Sequence, residues 1–126
     1  MAYSYIPGTC NLGKAEIRRR QFVALLGLLL TITTFVGLIG SDAPANARWG
    51  LFIPSMVFAI GFIQSRKKFC LAYGLMGTFN LGKLGDLSRV QSPEDRSADR
   101  KTALRILLQS AALALLITSV LVFLPL

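Results

Sequence analysis

Residues 21–40, QFVALLGLLLTITTFVGLIG, contain no charged side chain and decide the class of this protein. At about 1.5 Å per residue, a helix of this length covers roughly 30 Å, which is the thickness of the hydrocarbon core of a bilayer. We therefore predict that this stretch forms a transmembrane helix.

Two more stretches are nearly free of charge. Residues 106–124, ILLQSAALALLITSVLVFL, predict another transmembrane helix of similar length. Residues 49–64 reach only about 24 Å as a helix. They can still span, because Trp49 can anchor at one interface while Arg66 and Lys67 extend to the other. Pro54 is compatible with this helix, since it falls in the first turn, where backbone N–H groups lack helical partners anyway.

The fourth apolar stretch, residues 69–82 (FCLAYGLMGTFNLG), contains three glycines and is too short to predict a span. It can lie in the membrane interface, enter the bilayer and return, or extend the second span. We predict an all-α integral membrane protein with three transmembrane helices and a glycine-rich interfacial or re-entrant helix after the second.

The basic residues predict how the chain is oriented. Except for Arg48, all of them fall before the first predicted span, after the second or before the third: Lys14, Arg18, Arg19 and Arg20; Arg66, Lys67 and Lys68; Lys83, Arg89, Arg96, Arg100, Lys101 and Arg105. Three spans place these clusters on one face, whereas a fourth span at residues 69–82 would move the last cluster across. Because cytoplasmic loops carry the excess of Lys and Arg, we predict a multi-pass protein of a prokaryotic inner membrane, with its N-terminus inside and its C-terminus outside.

Short motifs within residues 9–82 resemble a known family. Cys10-Asn11-Leu12-Gly13, followed by Glu16, Arg20 and an apolar helix, is similar to the opening of the two-helix inner-membrane domain of YgaP-like proteins. The closing stretch of that domain resembles Trp49-Gly50, an apolar helix, Phe69-Cys70-Leu71-Ala72-Tyr73 and Gly77-Thr78-Phe79-Asn80. The chain departs from the family pattern at Ile17, Ala24 and Leu71. In YgaP-like proteins the domain anchors a rhodanese domain, which carries sulfur as a cysteine persulfide; here the resemblance implies the membrane domain alone.

These patterns divide the chain into four parts. We predict a cytoplasmic N-terminal segment at residues 1–20, a YgaP-like two-helix membrane domain at 21–82, a charged cytoplasmic linker at 83–105 and the third transmembrane helix at 106–126. Within the linker, Ser92 and Pro93 predict a helix start, with Ser92 as N-cap, and this helix can continue into the third span. Asn11-Leu12-Gly13-Lys14 matches Asn80-Leu81-Gly82-Lys83. The match indicates either a duplicated unit or, as we favour, the same turn chemistry used twice.

Small residues recur at helical spacing in three places, and in lipid such residues let helix backbones approach closely. The candidate contact residues are Gly27, Thr31, Gly74, Gly77, Thr78, Gly82, Ser110, Ala114 and Thr118. Residues 70, 74, 78 and 82 would form one stripe if residues 69–82 were a continuous helix. These faces can pack the helices of this chain on each other, or at least one can bind another protein, and we weigh the two alternatives equally.

The two cysteines, Cys10 and Cys70, lie on the predicted cytoplasmic side, where thiols stay reduced. Lys67 and Lys68, together with a possible helix start, favour the thiolate form of Cys70. Two interpretations follow: a thiol that transfers sulfur, or a small residue packed on a helix face, and we favour the second. Two cysteines without histidine supply too few ligands for zinc.

Composition limits the functions open to this chain. Hydrophobic residues make up 53% and charged residues only 16% of it, so the net charge of +8 indicates lipid headgroups rather than nucleic acid as the partner. The candidate residues for topology or for anionic lipid are Arg18, Arg19, Arg20, Arg66, Lys67 and Lys68. The sequence has no histidine, no ionisable residue within the first two predicted spans and no phosphate-binding or nucleophile motif. We expect no enzyme activity, no cofactor and no metal.

The expected function is therefore helix–helix assembly, as a homo-oligomer or as an accessory subunit of a larger membrane complex. The alternative is a thiol-dependent membrane protein of sulfur transfer that uses Cys70 or Cys10. A channel for small molecules or lipids, formed by an oligomer, is a weaker third hypothesis.

Overall fold

A computed structural model describes residues 5–81 and 87–125, and it is mostly helical (75%). Its helices are α1 (Lys14–Gly40), a 3₁₀ helix (Ala45–Leu51), α2 (Phe52–Lys67), α3 (Leu71–Met76) and α4 (Pro93–Phe123). Two short strands, β1 (Thr78–Phe79) and β2 (Ser88–Arg89), pair antiparallel, with Thr78 opposite Arg89.

Three helical segments are long and apolar enough to cross a membrane: Lys14–Gly40, Ala45–Lys67 and Pro93–Phe123. Their length and composition confirm the three predicted spans. All three begin earlier than the predicted apolar runs, which start at residues 21, 49 and 106. Helix α4 starts at Pro93, so residues 93–105 are its first turns rather than a linker. Its start is the predicted one, because the Ser92 side chain accepts a hydrogen bond from the Asp95 N–H at 3.5 Å.

The three long helices form a layer in which α2 packs on both α1 and α4. Small residues bring α1 and α2 together. A Cβ atom on Gly27 would collide with the backbone of Phe58, and one on Gly61 would lie 2.7 Å from the backbone nitrogen of Ala24. Because only glycine fits at these two points, the helix backbones approach closely there.

Helix α4 contributes a second face of small residues to the layer. Ser110, Ala114 and Thr118 are each 0% exposed, and α4 packs on α2, α3 and the 3₁₀ helix. Large apolar side chains point away from the layer on both outer helices: Leu25, Leu28, Leu29, Leu30, Ile32, Leu108, Leu115, Leu116 and Val120. In a membrane these side chains meet lipid tails.

Contacts at one end of the layer hold the 3₁₀ helix against the end of α4. The Arg48 guanidinium donates to the carbonyl oxygens of Leu121 and Leu124, both at 3.0 Å. The Trp49 ring meets the ring of Phe123 edge-on, with 6.3 Å between centroids. Arg48 thus satisfies carbonyl groups that the last turn of α4 leaves without a helical partner, and its positive charge complements the helix dipole.

The opposite end of the layer combines the N-terminal segment, the first turns of α1 and α4, the end of α2 and the chain around α3, and we call residues 5–20, 66–81 and 87–105 the polar end. Here the first matching tetrapeptide lies beside Asn80, the first residue of the second. Gly13 N–H donates to Asn80 O at 2.7 Å, Asn80 N–H donates to Asn11 O at 2.9 Å, and Leu12 and Asn80 form a parallel bridge. A Cβ atom on Gly13 would collide with the backbone of Leu81, which explains the glycine in the first tetrapeptide. Residues 82 and 83 of the second lie outside the described residues.

The prediction of one small-residue stripe along residues 69–82 is wrong. Helix α3 ends at Met76, because Gly77 takes a left-handed conformation with φ of 70°. Thr78 then belongs to β1, so it does not share a helical face with Cys70 and Gly74. The two strands also depart from the predicted all-α class, and the candidate Gly82 lies outside the described residues.

Candidate functional site

A cluster of buried polar side chains joins α1 to α3 at the polar end. Glu16 and Arg20 lie one turn apart on α1, so their side chains share a face of that helix. Cys70 immediately precedes α3, and Tyr73 lies within it. Glu16 is 0% and Cys70 is 3% exposed.

Glu16 is the centre of this cluster. Its Oε2 atom accepts hydrogen bonds from Arg20 Nη1 at 2.8 Å and from the Tyr73 hydroxyl at 2.9 Å. Its Oε1 atom lies 3.8 Å from Arg19 Nη1 and accepts no hydrogen bond from the residues that the structure describes. A buried carboxylate is costly unless it is paired, and Arg20 supplies the opposite charge.

Arg20 connects the carboxylate to the thiol. Its Nη2 atom donates to Cys70 Sγ at 3.1 Å, and its guanidinium carbon lies 5.4 Å from the centroid of the Tyr73 ring. Only 13% of its side chain is exposed. Arg20 therefore faces the protein interior, and its predicted role in topology or lipid contact stays a prediction. Of the other five candidates, Lys68 is half-buried and the rest are exposed: Arg18, Arg19, Arg66 and Lys67.

Asn11 fixes the backbone at Cys70 through two hydrogen bonds. The Cys70 N–H donates to Asn11 Oδ1 at 2.7 Å, and Asn11 Nδ2 donates to Cys70 O at 3.3 Å. The next residue, Leu71, donates its N–H to Gln64 Oε1 at 2.9 Å. Side chains from α2 and from the N-terminal segment thus satisfy the first N–H groups of α3, which a helix start leaves unpaired.

The environment of Tyr73 keeps its hydroxyl protonated. Burial raises the pKa of Tyr73, and the hydrogen bond to Glu16 and the negative charge of Glu16 raise it further; Arg20 acts weakly in the opposite direction. A protonated Tyr73 remains a hydrogen-bond donor to Glu16 Oε2.

Both cysteines are free thiols inside the protein. Cys10 is 6% exposed, and its Sγ atom donates to the Leu12 carbonyl oxygen at 3.6 Å. A large sulfur donor or acceptor cannot reach either sulfur atom without opening the polar end. Within residues 5–81 and 87–125, no three His, Cys, Asp or Glu side chains come close enough to hold a metal ion.

A second polar cluster holds the N-terminal segment on α4. Asp99 is 0% exposed, and its two oxygens accept hydrogen bonds from the Tyr5 hydroxyl at 2.7 Å and from Gly8 N–H at 2.6 Å. Thr102 Oγ1 donates to Gly8 O at 2.7 Å. Burial and the hydrogen bond to Asp99 raise the pKa of Tyr5, so this hydroxyl also stays protonated.

Most of the predicted helix-contact residues make contacts within the chain. Gly27, Thr31, Ser110, Ala114 and Thr118 are buried in the helix layer. A Cβ atom on Gly74 would lie 2.7 Å from the Phe69 ring and 2.9 Å from Asp99 O, and one on Gly77 would lie 2.9 Å from Arg96 Cδ. For these positions the sequence allowed either packing within this chain or contact with another protein. In the structure they pack within the chain.

Sequence reasoning did not select Asn11, Glu16, Tyr73 and Asp99 as site residues. Three of them belong to the motifs that carry the YgaP-like resemblance, and the spacing of Glu16 and Arg20 by four residues was a visible signal. Asp99 carries no such signal, because its partners are more than 90 positions away in sequence.

No family model, no curated protein and no solved structure matches this chain. Membership of the YgaP-like family therefore stays a prediction. The structure adds that the motif residues from the two ends of that resemblance converge on one buried cluster: Asn11, Glu16 and Arg20 from the first end, and Cys70, Tyr73 and Asn80 from the second.

Proposed function

We propose that this chain is a non-catalytic integral membrane protein of a prokaryotic inner membrane that acts through helix–helix assembly, with itself or within a larger complex. Three helices able to cross a membrane support the membrane location. The clustering of Lys and Arg at the polar end, with Arg48 at the opposite end, supports an N-terminus inside and a C-terminus outside.

One observation supports the assembly proposal: two glycines of α1 have no other part of the described protein packed against them. A Cβ atom on Gly37 or on Gly40 would meet no other atom within 4 Å. Both residues are exposed, and Thr33 lies one turn before Gly37 on the same face of α1. This face is distinct from the one that Gly27 and Thr31 bury against α2.

Uncovered glycines in a transmembrane helix need a reason. Gly37 lies within α1, where glycine costs about 1 kcal/mol relative to alanine, whereas Gly40 is the last residue of the helix and carries less of this cost. Contact with lipid tails does not offset this cost, because lipid tails pack equally well on alanine or leucine. Contact with a second helix does offset it, since the backbone of that helix can approach closely only where side chains are small. We infer that the Thr33, Gly37 and Gly40 face of α1 contacts another transmembrane helix.

The test compares two leucine substitutions on exposed helix faces. Gly37→Leu fills the proposed contact, whereas Ala112→Leu adds similar bulk on an exposed position of α4. Overfilling a fitted contact costs about 1–3 kcal/mol, which weakens association roughly 5- to 150-fold. We expect Gly37→Leu to lower the oligomeric mass, or to release co-purified partner subunits, in mild detergent by native mass spectrometry. Equal assembly of wild type and Gly37→Leu would contradict the proposal.

Sulfur transfer through Cys70 is the second candidate, and the contact between Arg20 Nη2 and Cys70 Sγ at 3.1 Å favours it. Burial of the thiol weighs against it. Cys70→Ser distinguishes the two functions, because serine cannot form a persulfide yet nearly preserves the size of the side chain. We expect this variant to assemble and function as wild type does; a variant that assembles but has lost its cellular function would favour sulfur transfer.

A further inference from the structure

A cleft of about 270 Å³ opens at the polar end, between the N-terminal segment and two long helices. Its lining residues are Gly8, Thr9, Lys67, Thr102 and Arg105. Lys67 is the last residue of α2, and Arg105 lies on α4 directly before the apolar run that begins at Ile106. Two cations from different helices thus face one opening.

These two cations are available to a ligand. Lys67 and Arg105 are exposed, and neither forms an ion pair or a side-chain hydrogen bond with any residue in the described ranges 5–81 and 87–125. The nearby acid Asp99 is fully buried, and its oxygens already accept hydrogen bonds from Tyr5 and Gly8. The cleft therefore presents two cations against one buried carboxylate, which leaves it with a net positive charge.

The N-terminal segment forms the third wall of the cleft, and it is held in place before any ligand binds. Gly8 has a φ of 69° and is tied to α4 through Asp99 and Thr102. This anchoring fixes Thr9 at the rim, where its hydroxyl can donate a hydrogen bond. A preformed wall lowers the entropy that binding would cost.

The level of the cleft relative to the bilayer indicates which ligand it binds. Both cations lie where apolar helix gives way to polar chain, which is the level of lipid phosphates in a bilayer. We propose that this cleft binds a phosphate group through Lys67, Arg105 and Thr9, carried either by an anionic phospholipid headgroup or by a soluble phosphate. This site is additional to the assembly face on α1, and neither proposal depends on the other.

The test measures binding of three probes to delipidated protein in detergent: a short-chain phosphatidylglycerol, a short-chain phosphatidylcholine and inorganic phosphate. Near a membrane surface each Lys or Arg contributes about 1 kcal/mol, or roughly fivefold in affinity. We expect Lys67→Gln with Arg105→Gln to weaken binding about 25-fold. The matched control, Arg66→Gln with Lys101→Gln, removes the same charge from exposed neighbours outside the cleft and should leave most of the affinity.

The outcomes separate the sources of the phosphate. Tighter binding of phosphatidylglycerol than of the other two probes supports a lipid headgroup, and equal binding of phosphatidylglycerol and inorganic phosphate supports a soluble phosphate. The proposal is overturned if wild type binds none of the probes. It is also overturned if the control variant loses as much affinity as the cleft variant, because the attraction would then be diffuse.

Discussion

The polar end and the helix layer of this protein are held together by different interactions. At the polar end, buried polar groups such as Glu16, Asn80 and Asp99 are tied by directional hydrogen bonds between segments far apart in sequence. In the layer, contact depends on glycine, alanine, serine and threonine, and the hydroxyls of Thr31 and Thr118 bond to carbonyls of their own helices.

This difference reflects what each region can gain by folding. Apolar side chains in lipid gain little by leaving lipid tails, so close backbone approach at small residues becomes the main source of helix association. At the polar end, water competes for every polar group, and most buried polar groups find a hydrogen-bond partner within the protein, with Glu16 Oε1 as an exception. The following predictions test this contrast, beginning with the largest expected effect.

The largest effect concerns which side of the membrane each region faces. Reporter fusions after Ala45 and after Leu126 should read as external, and fusions after Gly13 and after Ser92 as cytoplasmic, because the basic residues lie almost entirely at the polar end. An external signal after Ser92 would place the two halves of the polar end on opposite sides of the membrane, which their mutual hydrogen bonds do not allow.

Removing the central carboxylate of the polar end should destabilise the fold strongly. Glu16→Ala leaves Arg20 without its partner inside the protein, and breaking such a pair costs about 3–5 kcal/mol. Thermal unfolding in detergent measures the loss. Glu94→Ala removes an exposed acid whose carboxylate accepts a hydrogen bond from the Ser92 hydroxyl in the first turn of α4, and it should lower the melting temperature much less than Glu16→Ala does. Similar melting temperatures for the two variants would show that the Glu16 cluster is not structural.

The helix layer should respond to bulk rather than to polarity. Gly27→Ala places a methyl group against the Phe58 backbone, and we expect a loss of about 1–3 kcal/mol by overpacking. Gly50→Ala is the control, since no atom lies within 4 Å of the added methyl group. If both variants unfold at the wild-type temperature, the close approach of α1 and α2 does not contribute to stability.

The smallest effect is a pH dependence at the polar end. The pKa of Tyr73 is raised in the folded protein, so its stabilising contribution is complete below the unfolded value of about 10 and is lost as the pH rises through the folded value. Stability should therefore fall above pH ~10, and more steeply in wild type than in Tyr73→Phe. Tyr5→Phe should reduce the slope in the same way, because burial and Asp99 raise the pKa of Tyr5. Identical slopes in wild type and Tyr73→Phe would argue against the bond to Glu16.

Features that depend on neighbours in sequence could be predicted. The helix start at Ser92 and the place of Pro54 in the first turn of α2 both follow from local backbone chemistry. The end of α3 could not be predicted, because Gly77 can continue a helix or terminate it, and its contact with Arg96 is remote in sequence. The candidate site was missed for the same reason, since Glu16 meets Tyr73 across 57 positions.

The sequence by itself determined that three segments of this chain suit a bilayer, because an uncharged run long enough to cross it is a local property of composition and length. Only the tertiary structure decided which small residues are used internally. Gly27 is buried against Phe58 whereas Gly37 is left open, although both lie on the same helix, because helix packing depends on the rotation and crossing point of two partners. The same holds for the buried cluster around Glu16, whose members acquire their roles only when α3 folds back on α1.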